Sequence, residues 1–189
     1  MNTTTALPVT NSERSSLIRL YLSRGVLAIA WAIAFAAVHN TLDAIAVTLL
    51  VLYPLIDAVS SLIDFLAVPL GAERRVTAFN GVLSAVIAAA LGIAGTTGGM
   101  AAVLGVFGAW AILSGAAQLT VGVYRRGPVL GKQWPTLISG GLSFLVGATY
   151  IAQAIGDSPA LDVLAIYATG GGVFFIAQAA LLAWKQRTH

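Results

Sequence analysis

Charge is what this sequence has least of: Asp, Glu, Lys and Arg together make up 9% of the chain. An average soluble domain carries roughly 25%, so this composition cannot build a water-exposed surface, and lipid must be the solvent for most of the exterior. Cysteine is absent, which excludes disulfides, a thiolate nucleophile, thiolate-ligated metals and iron–sulfur clusters. The histidines, His39 and the terminal His189, offer neither a Ser-His-Asp arrangement at membrane depth nor a three-ligand metal site. Dense acidic motifs of the kind used in magnesium-dependent diphosphate chemistry are missing, as are nucleotide-binding motifs. Neither cofactor nor metal is expected. The net charge of +3 is spread along the chain rather than clustered, so it does not mark a nucleic-acid surface.

What is present is apolar: 58% of the residues are hydrophobic. A spanning helix needs about 20 mostly apolar residues, and six segments qualify, 18–38, 42–68, 76–94, 100–124, 134–155 and 160–184. The expected fold class is therefore an all-α integral membrane protein with six transmembrane helices. The short turns after the first, third and fifth segments, 39–43, 95–99 and 156–159, contain no cation. Arg14, Arg19 and Arg24 precede or begin the first segment, Arg74 and Arg75 lie between the second and third, and Arg125, Arg126 and Lys132 between the fourth and fifth. Lys185 and Arg187 follow Trp184. Short loops rich in Lys and Arg stay cytoplasmic, so both termini are expected inside. Arg outnumbers Lys, and Ala and Gly are abundant, an association with GC-rich bacterial genomes that suggests a bacterial plasma membrane. Residues 1–16 are polar and Thr/Ser-rich, unlike an export signal. They are expected to form a disordered cytoplasmic lead, leaving 17–189 as one six-helix membrane domain.

The chain also repeats. Arg24-Gly25-Val26-Leu27 recurs as Asn80-Gly81-Val82-Leu83 and as Gly140-Gly141-Leu142-Ser143, and Gln118 before Arg126 recurs as Gln178 before Gln186. Each unit would be an in–out–in hairpin, so the three repeats share one orientation, related by an axis along the membrane normal. Small residues should mediate helix contact, since lipid removes most of the hydrophobic incentive for association. Candidate faces are Ser139, Ser143 and Gly147, then Ala101, Gly105 and Ala109, and the run Gly170-Gly171-Gly172.

The stretches Arg24–Ile29 and Phe107–Gly115, set in three short helical hairpins, resemble the HdeD-like family of small bacterial membrane proteins. The resemblance implies short internal repeats, an inner-membrane location and an association with acid resistance. It also implies an acidic residue in the second helix, which Asp57 matches. The chain departs from the family in having Ala58 after that residue and His39-Asn40 at the first outer turn.

The second segment carries the most unusual chemistry. Asp57, Ser60, Ser61 and Asp64 stand at i, i+3, i+4 and i+7 and so share one helix face, with Tyr53 and Pro54 extending it by a turn. An ionisable group within the bilayer costs a few kcal/mol on insertion scales and is by default a functional-site candidate. Arg24 lies at a depth similar to Asp64, and the expected ion pair is Arg24–Asp64, unless the long arginine stem carries its charge to the headgroups. Asp57 would then be unpaired and protonated, since a low-dielectric site favours the neutral acid. It could donate a proton, or simply hydrogen-bond across helices to Gln118 or Asn80. At the first outer turn, His39 and Asp43 read as a solvated pair, or as a sensor of external pH.

Two functional readings follow. The leading one is a non-enzymatic plasma-membrane protein acting in envelope or acid stress, with membrane lipids as its partners. The alternative is a membrane-embedded enzyme on a lipid-like substrate, such as a metal-independent isoprenoid (terpene) cyclase, with Asp57 as proton donor and Asp64 or Tyr53 in support. Its chamber would be lined by aromatics that stabilise cations: Trp31, Tyr53, Phe65, Trp110, Tyr167, Phe174 and Phe175.

Overall fold

A computed structural model describes residues 11–68, 70–126 and 132–187. They form α1 (Asn11–Ala36), α2 (Ala44–Ala67), α3 (Ala72–Ile93), a π-helical turn (Ala94–Gly98), α4 (Gly99–Tyr124), α5 (Trp134–Ala154) and α6 (Asp162–Arg187), with no strand among the described residues. Five helical segments are long and apolar enough to cross a membrane, because α3, the π turn and α4 run together as one 53-residue stretch, Ala72–Tyr124. The chain is a multi-pass membrane protein.

Local chemistry sets the helix ends. Asp43 caps α2, its carboxylate accepting from the Ile45 and Ala46 amides at 2.9 Å each, which satisfies two of the amides that a helix start leaves without partners. Asp43 is therefore a cap, while His39 lies beside Phe35. In the π turn the Thr96 and Thr97 hydroxyls bond back to the carbonyls of Gly92 and Ile93. Gly99 follows at φ 74°, a left-handed value that glycine adopts without penalty, and α4 packs back against α3. At the other end of the chain, α1 reaches back to Asn11, so 11–16, expected as part of a disordered lead, are helical. Polar Asn11 and Ser12 and the acidic Glu13 suit the positive end of a helix. Residues 1–10 and His189 lie outside the described residues.

Each helix packs on the next, and α1 packs on α6, so the bundle is a closed ring. The most extensive contacts are α4 with α5, α1 with α6, and α2 with α3. Glycine explains their closeness. A Cβ on Gly115 would meet the Gly140 carbonyl oxygen at 2.7 Å, one on Gly147 the Gly108 oxygen at 2.6 Å, and one on Gly172 the Gly25 oxygen at 2.9 Å. Such near-backbone contact is how helices associate where lipid is as apolar as the side chains. On α4 the closest approach is made at Gly108 and Gly115, while Gly105 of the expected face makes an ordinary contact with Ala154 of α5. Sequence identities equate Gly25 and Gly81 with Gly141, but Gly141 faces open space and Gly140 makes the contact.

Inside the ring, Leu50, Phe107 and Leu164 are fully buried and evenly spaced along the chain. One turn further along the same helices stand Tyr53, Trp110 and Tyr167, at the same even spacing. Tyr53 stacks on Phe107, and the other contacts among Tyr53, Phe107, Trp110 and Tyr167 are edge-on. This aromatic layer stands on the side of Asp57 away from Arg125 and leaves space below it.

Candidate functional site

Below the aromatic layer lies a cavity of about 290 Å³. Tyr53, Trp110, Tyr150 and Tyr167 form its roof, and Asp57, Ser61 and Asp64 run down its wall from α2. The i, i+3, i+4, i+7 spacing puts those α2 side chains on one face, and that face is turned into the ring, where Ser60, Ser61 and Asp64 are buried. Ser60 does not reach the cavity; its hydroxyl donates to the Ile56 carbonyl at 2.7 Å.

Asp57 is engaged on both oxygens. Arg24 donates to Oδ1. Oδ2 accepts from Asn80 Nδ2 at 2.8 Å and from Ser84 Oγ at 2.7 Å. Ser84 in turn accepts from Trp110 Nε1 at 2.9 Å, so its single proton points to the carboxylate, and Asn80 also donates to Ser61 at 3.0 Å. The network ties α1, α2, α3 and α4 together, with Asp57 as its central acceptor. The Arg24 guanidinium also lies over the Phe175 ring, 4.5 Å from its centroid.

Asp64 has a different cation. Arg125 Nη2 donates to both of its oxygens at 2.8 Å, while Arg125 Nε meets Glu73 at 2.5 Å and Nη1 meets the Tyr21 hydroxyl at 2.6 Å. Only 6% of Arg125 is exposed. Burial works most strongly against its charge, but Tyr21, Asp64 and Glu73 outweigh that and its pKa is raised.

The ion pairs are therefore Arg24–Asp57 and Arg125–Asp64, not Arg24–Asp64, and Asp57 is not unpaired. Depth measured from the ends of apolar runs misplaced Arg24, because α1 extends beyond its run at Asn11. Arg125 was missed because a cation just past an apolar run reads as a loop residue that sets orientation. Its signal was the acid on the facing ends: Asp64 and Glu73 bracket the α2–α3 connection and need a cation between them. Glu73 and Tyr21 were missed because they matter only as partners of Arg125.

Of the expected polar partners, Asn80 reaches Asp57, whereas Gln118 lines the cavity from α4. Of the expected aromatics, Tyr53, Trp110, Tyr167, Phe174 and Phe175 line it. Trp31 instead packs behind Tyr53 and donates to the Leu49 carbonyl, and Phe65 lies under the Arg74 guanidinium. Among the described residues, no three His, Cys, Asp or Glu side chains come together as metal ligands. No family model, curated protein or solved structure matches the chain, so its geometry carries the functional reading.

Proposed function

We propose that this is a small bacterial plasma-membrane protein of HdeD-like type, acting without catalysis in the envelope or acid-stress response, whose chamber binds a lipid-like molecule. The observation that carries the non-catalytic reading is the engagement of Asp57. A carboxylate that accepts from a guanidinium, an amide and a hydroxyl is organised as an acceptor and holds four helices together. The chamber beside it is walled by aromatic and polar groups suited to holding a molecule.

In this reading α3 and α4 are separate spans that turn at Gly98-Gly99, giving six spans in three in–out–in hairpins with both termini cytoplasmic. Orientation rests on the cations at one end of the bundle. The repeat is supported by the evenly spaced triplets Leu50, Phe107, Leu164 and Tyr53, Trp110, Tyr167, and by the three close pairs in the ring. The stress role follows from the resemblance carried by Arg24–Ile29 and Phe107–Gly115.

The aromatic roof gives one observation in favour of the enzyme reading, since ring faces stabilise cationic intermediates. An isoprenoid cyclase would need Asp57 to protonate an alkene or epoxide, and Arg24 would have to leave it first. The two readings separate in one experiment. Vesicles containing the protein are incubated with isoprenoid alkenes and epoxides and assayed for cyclic products, while a deletion strain is scored for survival at low pH. No products and an acid-sensitive strain rescued by the gene are expected. Cyclic products lost in Asp57→Asn would establish the enzyme instead.

A further inference from the structure

The cavity is closed along the bundle axis. At one end buried Arg125, Asp64 and Tyr21, with half-buried Glu73, form a plug. At the other, Leu50, Phe107 and Leu164 are completely inaccessible. Two seams of the ring, α1–α2 and α5–α6, pack far less extensively than the others. Arg24–Asp57 and Trp31 on the Leu49 carbonyl bridge the first. The way in is sideways through the second, on the Gly170 side of the Ser143–Tyr167 hydrogen bond. Leu142 of α5 and Ile166 of α6 line the cavity yet are 46% and 71% exposed on the outer surface. Gly170 faces open space, with nothing within 4 Å of where a Cβ would stand, and a Cβ on Gly171 would meet only the Tyr53 hydroxyl, at 3.7 Å. The seam thus opens towards the lipid-facing surface.

The cavity's polar groups indicate what enters. Its charges satisfy one another: Arg24 with Asp57, and Arg125 with Asp64 and Glu73. Two of its neutral polar atoms are not satisfied. Thr77 Oγ1 and Asn80 Oδ1 are buried without a hydrogen-bond partner, both residues line the cavity, and Thr77 is only 4% exposed. Three residues apart on α3, they face the same way. A buried polar atom without a partner is costly, and the amide oxygen of Asn80 can be satisfied only by a donor. An anionic head would need a free guanidinium, and a cationic one a free carboxylate. A hydroxyl, which donates and accepts, satisfies both Thr77 and Asn80.

We infer that the cavity takes the uncharged, hydroxyl-bearing head of a single-chain membrane amphiphile, whose tail leaves between α5 and α6. This rests on the ligand-binding reading of the same chamber. The volume, about 290 Å³, is at the small end of ligand sites, fitting a glycerol-sized head with its first methylenes rather than a whole lipid.

The full chain in lipid nanodiscs is photolabelled with a diazirine-bearing monoacylglycerol and competed with unlabelled monoacylglycerol, fatty acid or alkyltrimethylammonium of equal chain length. Labelling should map to α5 and α6 around Leu142 and Ile166 and be displaced best by the monoacylglycerol. Thr77→Val should weaken binding by roughly five- to tenfold, the worth of one buried hydrogen bond. Gly170→Trp, which fills open space and should leave the thermal midpoint unchanged, should abolish labelling by closing the seam. Preferred displacement by either charged competitor would overturn the head-group assignment and leave the binding reading intact. Full labelling of Gly170→Trp would overturn the lateral entry. Absence of any displaceable label in the cavity would end both the inference and the binding reading.

Discussion

Arg125 and Asp64 join α4 to α2 across the ring through two hydrogen bonds of 2.8 Å from one guanidinium nitrogen. Sixty-one residues separate them, so the pair forms only when the helices have assembled. Removing one partner of a buried pair leaves an uncompensated charge, at a cost of about 3–5 kcal/mol. Arg125→Leu should therefore lower the thermal midpoint in detergent sharply. Arg126→Leu, at an exposed site beside Trp134, should barely move it. Equal midpoints for the two variants would show that the plug does not hold the bundle together.

Asp57→Asn should also destabilise, since it strands Arg24 among apolar side chains. The double variant Arg24→Leu/Asp57→Asn should recover part of the loss, with a coupling within the roughly 0.5–3 kcal/mol seen for interacting neighbours. Additive losses in equilibrium unfolding would mean that the two residues act independently.

Close approach of α4 and α5 makes a sharp distinction between adjacent glycines. Gly140→Ala would place a Cβ 2.9 Å from the Gly115 carbonyl oxygen, whereas Gly141→Ala meets nothing within 4 Å. Overpacking of this kind costs about 1–3 kcal/mol. Gly140→Ala should lower stability measurably and Gly141→Ala should leave it unchanged or slightly improved, as read from unfolding in mixed micelles.

For topology, a reporter active only outside the cytoplasm should be silent when fused after residue 189 and active when inserted at Gly98, in the π turn. Activity at both positions, or the reverse pattern, would contradict six spans with internal termini.

Much of the helical architecture could be read from apolar run length alone, because a bilayer admits few backbone solutions. The i, i+4 spacing likewise marked the Asp57–Asp64 face, since helix geometry is independent of neighbours. Partner choice was not legible. Arg24 and Arg125 each have a long stem, and which acid each reaches depends on the relative sliding of helices, which no single segment encodes. The shift from Gly141 to Gly140 has a related origin: matching by residue identity follows composition, whereas burial follows the rotation of α5 against α4. Ser84 gave no sign at all, being an ordinary small residue until Trp110 and Asp57 are brought to it.

The contact between α1 and α6 has a consequence for biogenesis. Gly25 and Gly172 lie backbone against backbone, so the ring is sealed by the first and last of its helices to leave the ribosome. Phe175 of α6 lies against the Arg24 guanidinium, so α6 completes the wall over the Arg24–Asp57 pair. Enclosure of the Arg24 charge thus depends on a helix far along the chain from the one that carries it.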